Sequence, residues 1–134
     1  MGLSVLVLDD EPIVGRRLRD ALQPLGCTVE IFTEPLKALH RFEESPFDVV
    51  ITDVLMEGMD GIDVLRRVQA VSPRTRVILI TGYAMMEMAR EAMEEGAFEF
   101  IAKPFRPAEA RTILRRAAEA LGMALTPEPP TDRP

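Results

Sequence analysis

Cysteine, histidine, basic runs and long apolar stretches are what this 134-residue sequence has least of. Cys27 stands alone, which excludes an internal disulfide and a thiolate metal site, fits a reducing compartment, and leaves the residue a small buried apolar role. His40 is the sole histidine and sits amid Lys37 and Arg41, where a solvated surface position is expected rather than a phosphocarrier. No apolar run approaches the roughly 20 residues that a membrane-spanning helix needs. The start, Met1-Gly2-Leu3-Ser4, carries neither a basic stretch nor a small-residue cleavage pattern, so no secretion signal is expected and the cytoplasm is the expected location. With a formal charge of −6 and no basic run, the sequence lacks the phosphate attraction on which nucleic-acid binders rely. Direct contact with nucleic acid is therefore not expected, and no internal repeat is present.

What is there is 47% hydrophobic and 28% charged, the balance of a folded domain with one core. Short Val, Ile and Leu runs alternate with longer amphipathic segments, the pattern of parallel strands joined by crossover helices. The strands are expected at Leu3–Leu8, Thr28–Phe32, Asp48–Thr52, Arg76–Ile80 and Phe98–Ala102. Helices are expected from Pro12 to the Pro24–Gly26 stop, Glu34–Phe42, Ile62–Val71, Ala84–Glu95 and Pro107–Leu121. Runs such as Val49-Val50-Ile51 and Val77-Ile78-Leu79-Ile80 are apolar on both faces, as central strands covered on each side must be. The expectation is an α/β fold, a doubly wound five-stranded parallel sheet in order 2-1-3-4-5, flavodoxin-like, with helices on both faces. Four prolines fall in Thr126–Pro134, so the domain is placed at 1–121 and residues 122–134 are expected to form an extended tail or linker.

Function in such a sheet collects at the carboxyl ends of the strands. There the sequence places Asp9-Asp10, Asp53, Thr81-Gly82 and Lys103-Pro104. Three carboxylates on one edge repel each other and call for a cation, and magnesium, with its preference for oxygen ligands and retained waters, is the natural candidate. Asp10 and Asp53, with a water held by Asp9, make a sensible shell, and the lack of His or Cys argues against zinc. A carboxylate can attack phosphorus to give an acyl phosphate if the developing charge is neutralised. Lys103 can supply a compact positive charge and the Thr81 hydroxyl a hydrogen bond.

The stretches Val5-Leu6-Val7-Leu8-Asp9-Asp10-Glu11-Pro12, Asp53 followed by Met59-Asp60-Gly61, Thr81-Gly82 and Lys103-Pro104-Phe105 resemble the receiver domain of bacterial two-component response regulators. The resemblance runs from about Leu3 to Leu121. It implies that Asp53 is the phosphoacceptor, supplied by a sensor histidine kinase or a histidine phosphotransfer protein. Asp9 and Asp10 would be the acidic pair around Mg2+ and the main-chain carbonyl of Leu55 a further metal contact. Thr81 and Phe100 would form the switch, with Lys103 bound to the phosphoryl group. The signal would pass to a downstream protein or an output domain through the surface of the fourth helix, fifth strand and fifth helix. A protein of this kind is not a classical enzyme, although it catalyses its own phosphorylation and dephosphorylation.

Two features depart from the family's pattern. Glu57 stands where many members have proline, so the loop after Asp53 is expected to be more mobile, and Leu55 and Tyr83 flank the acceptor with apolar bulk, so slow self-dephosphorylation is expected. Other readings stay open. Asp10 alone can be a helix N-cap, Thr81 a turn residue, and Lys103 a solvated lysine before a rigid, even cis, Pro104. Methionines 85, 86, 88 and 93 suit either core packing or an adaptable partner surface. A flavin carrier of the same fold is disfavoured by Asp9-Asp10-Glu11, which would repel a phosphate, whereas a receiver degenerated into an interaction module remains the rival. A stand-alone protein and an excised domain are both compatible with the sequence.

Overall fold

Val49–Asp53 is buried at every position, and so is Arg76–Thr81 after its first residue. Strands of this kind can exist only when covered on both sides, and the rest of the molecule supplies the cover. In the computed structural model, which describes residues 2–127, strands β1 (Ser4–Leu8), β2 (Thr28–Phe32), β3 (Val49–Asp53), β4 (Arg76–Thr81) and β5 (Glu99–Ala102) form one sheet. All four pairings are parallel, in the order β2-β1-β3-β4-β5. The expected topology is thus the observed one, with strand limits shifted by one residue at half of the ends.

The pleat sorts side chains to two cores. Val5, Val7, Ile51, Ile78, Ile80 and Ile101 point to the side covered by α1 (Pro12–Leu22) and α5 (Pro107–Leu121). Leu6, Leu8, Val50, Val77 and Leu79 point to the side covered by α2 (Pro35–Glu44), α3 (Gly61–Val71) and α4 (Met86–Glu94). Cys27 is buried in the first core, as expected, and burial pushes its thiol up to about 11. Met85, Met88 and Met93 pack against the second. His40 is exposed, 3.5 Å from Glu44.

Three features differ from the expected pattern. The segment expected to begin a helix at Ala84 opens instead as a 3-10 turn, Tyr83–Met85, before α4 starts at Met86. The loop after Asp53 is a small hairpin in which Leu55 pairs with Asp60 and Met56 with Met59, its turn made possible by Gly58 at φ 88°. Asp60 then caps α3, accepting from the Asp63 amide at 2.9 Å. At the other end of the chain, α5 stops at Gly122, and the Met123 amide donates back to the Ala118 carbonyl. Residues 123–127 have no regular structure but fold against the body: Met123 and Leu125 pack on the first core, and the Thr126 amide donates to the Leu25 carbonyl at 2.9 Å. The remainder of the expected tail, 128–134, lies outside the described residues. Among the described residues no helix is long and apolar enough to cross a membrane.

Candidate functional site

The strand ends bring the sequence's polar residues to one edge. β1 and β3 are adjacent, so Asp9, one residue beyond β1, and Asp53, the last residue of β3, stand side by side. Ligand oxygens of Asp9, Asp10 and Asp53 all lie within 4.8 Å of one another. Asp9 and Asp53 are buried, at 1% and 9% exposure, whereas Asp10 is exposed. Lys103 follows β5, its main chain anchored by donation of its amide to the Thr81 carbonyl at 2.7 Å. Its ammonium reaches Glu11 at 3.0 Å, Asp9 at 3.2 Å and Asp53 at 3.5 Å. The peptide bond from Lys103 to Pro104 is cis.

Burial dominates the electrostatics. It pushes the Asp9 carboxyl up to about 6, against the pull of the Glu11 amide, which donates to Asp9 Oδ1 at 2.8 Å; the Asp53 charge adds to the rise. Asp53 is raised for the same first reason, with Lys103 opposing. For Lys103, burial acts to lower its affinity for the proton, but Glu11, Asp9 and Asp53 together outweigh it and the net shift is upward. Among the described residues, Asp9 Oδ2 is a buried oxygen without a well-aligned hydrogen-bond donor, even though the ammonium is close. An all-oxygen donor set, two carboxylates held above their usual range and an unsatisfied oxygen together fit a hard divalent cation such as Mg2+.

Thr81 and Phe100 belong to the opposite side of the sheet. Thr81 continues the alternation of Val77 and Leu79, is fully buried, and donates its hydroxyl to the Gly82 carbonyl at 3.0 Å. Phe100 is half-buried against the second core. Leu55 and Tyr83 expose apolar surface near the rim, at 54% and 96%. Gly61 packs against the main chain that carries the acceptor: its amide donates to the Val54 carbonyl at 2.7 Å, and a Cβ there would lie 2.9 Å from the Asp53 carbonyl oxygen. Two participants escaped the sequence reading, the hairpin after Asp53 and the contact of Glu11 with Lys103. The signal for the second was a third acidic residue directly after Asp9-Asp10.

Comparison with known proteins gives this arrangement a context. The family described as "Response regulator receiver domain" matches residues 5–115. The chain is 35% identical to the C4-dicarboxylate transport transcriptional regulatory protein DctD of Rhizobium meliloti (strain 1021), over 91% of this chain but only 30% of that protein. It is 29% identical to the chemotaxis protein CheY of Thermotoga maritima, covering 89% of this chain and 100% of that one. A solved receiver domain protein from Clostridium thermocellum superposes with a TM-score of 0.82 at 32% identity, covering 87% of this chain and 94% of the other.

Proposed function

On the premise that the chain belongs to the response regulator receiver domain family of two-component signalling, we propose that Asp53 accepts a phosphoryl group from a phosphohistidine of a sensor histidine kinase or phosphotransfer protein. An Asp53 oxygen forms the new bond to phosphorus, the phosphorus–nitrogen bond breaks, and the imidazole departs with its electron pair. The observation that carries this reading is the placement of the Asp53 carboxylate at the end of the central strand, beside Asp9 and Asp10 and 3.5 Å from the Lys103 ammonium.

Asp10 and Asp53, the Leu55 main-chain carbonyl and a water held by Asp9 would hold Mg2+, which when bound neutralises charge on the phosphoryl oxygens. The remaining roles belong to the chain itself. Lys103 turns one of its three donors to a phosphoryl oxygen, and the Thr81 hydroxyl exchanges the Gly82 carbonyl for another. Movement of Thr81 vacates space on the α4 side, into which Phe100 turns. The added charge biases a pre-existing equilibrium, and the surface of α4, β5 and α5 presents the result to a downstream protein or output domain. The receiver comprises residues 1–121 with 122–134 as a linker, acts in the cytoplasm, and does not itself bind nucleic acid.

Intact-protein mass after incubation with a small phosphodonor and Mg2+ tests the reading. A gain of one phosphoryl group, absent in Asp53→Asn and without metal, is expected. No gain in folded protein, from small donors and from a panel of phosphorylated kinases alike, would leave the pocket an interaction surface only.

A further inference from the structure

Lys103 has three N–H donors and three carboxylate neighbours, and the closest is the one with no part in accepting phosphate. Its ammonium donates to Glu11 Oε1 at 3.0 Å, whereas Asp53 is at 3.5 Å. Glu11 is held in place by its main chain. Its amide is bound to Asp9 Oδ1 at 2.8 Å, and it occupies the N-cap of α1 directly before Pro12. The side chain makes no capping hydrogen bond to the helix. Its side chain is 63% exposed, and Lys103 is the partner its carboxylate reaches.

From this geometry we propose that Glu11 is a positioning residue that holds the Lys103 ammonium back from Asp53 in the resting state and so restrains phosphoryl acceptance. The proposal rests on the reading of Asp53 as acceptor. To bind a phosphoryl oxygen, Lys103 must give up a donor, and the Glu11 contact is the one whose loss leaves the acidic pocket intact. Removing Glu11 does not release the lysine to solvent. Asp9 at 3.2 Å and Asp53 at 3.5 Å remain beside it, and its main chain stays bound to Thr81. Losing this contact therefore moves the ammonium inward and speeds the reaction. The expected gain is about two- to fivefold, the size of one partly exposed ion pair.

The test compares initial rates of phosphorylation by acetyl phosphate with Mg2+, followed by intact mass, in wild type, Glu11→Gln and Glu11→Asp. Glu11→Gln removes the charge. Glu11→Asp keeps it but is one methylene short of the ammonium. Both variants are expected to react about two- to fivefold faster than wild type, with thermal unfolding midpoints at most a few degrees below wild type. Acceleration by Glu11→Gln alone would show that Glu11 repels the anionic donor rather than acting through Lys103, and would overturn the proposal. Rates at or below wild type in both variants would overturn it as well. Failure of the wild type to gain a phosphoryl group would instead remove the reading beneath it, and the proposal with it; equal rates in a wild type that does gain one would remove the proposal alone.

Discussion

Replacing Asp9 by asparagine should make the metal-free protein more stable at neutral pH, although it removes an ion pair. Asp9 is 1% exposed, and burial pushes its carboxyl up to about 6 from an ordinary value of 3.8. A carboxyl raised by folding favours the folded state while protonated. Its contribution is therefore complete below about pH 4 and is lost as the pH rises through about 6, a loss of about 3 kcal/mol by neutral pH. The amide variant escapes that loss and keeps an oxygen to accept from the Glu11 amide, while Lys103 retains Glu11 and Asp53. The rise to about 6 already includes the opposing pull of Lys103, so a net gain of about 2–3 kcal/mol is expected, or about 7–11 °C in Tm for a domain of this size. Urea unfolding in chelator at about pH 7.5 and again at about pH 4.5 measures it, and the difference should fall to about a third at the lower pH, where folded Asp9 is protonated but the unfolded carboxyl, at its ordinary 3.8, is largely ionised. Mg2+ should reverse the order: at about a thousand times its Kd it adds about 4.1 kcal/mol to wild type and much less to the variant. An Asp9→Asn protein less stable than wild type at both pH values in chelator would refute the argument that desolvation outweighs the ion pair here.

Other outcomes follow from the same structure. Leu55→Asn should shorten the lifetime of the phosphorylated state, because a polar side chain beside Asp53 can orient water where an exposed apolar one cannot; timing phosphate loss after donor removal checks it, and an unchanged or longer lifetime counts against it. Gly61→Ala should destabilise the fold by about 1–3 kcal/mol in urea unfolding, since the new methyl meets main-chain atoms of Asp53 and Val54 that have no room to move. The buried Cys27 thiol, pushed up to about 11, should resist alkylation at neutral pH in native protein and react readily once urea unfolds it.

The parts of the fold legible in the sequence were those whose burial is extreme. Val49-Val50-Ile51 and Val77-Ile78-Leu79-Ile80 admit only a strand covered on both faces, and the strand ends then dictate that Asp9, Asp53, Thr81 and Lys103 share an edge. Short or side-chain-dependent features were not legible. A ladder of two pairs, Leu55–Asp60 and Met56–Met59, is too brief to show a period of two. Ala84-Met85 reads as continuous with α4 because nothing in it breaks a helix; the 3-10 turn Tyr83–Met85 arises from how the chain leaves Thr81. The contact of Lys103 with Glu11 joins residues 92 apart, and its length depends on rotamers that no residue pattern encodes. Prolines after Gly122 signalled an extended chain, and they concealed how Met123 and Leu125 find apolar cover beside α1.

The docked segment fixes where the chain leaves the domain. The Thr126 amide is tied to the Leu25 carbonyl, just before β2 begins, and the Arg115 guanidinium holds the Thr126 carbonyl at 3.2 Å. Thr126 therefore sits at the amino-terminal edge of the sheet, while Asp53 sits at the carboxyl-terminal edge, about 16 Å away along a five-residue strand. A fluorophore or affinity handle grafted beyond Pro127 starts from the far pole of the molecule and leaves the mouth of the acidic pocket uncovered for any donor protein.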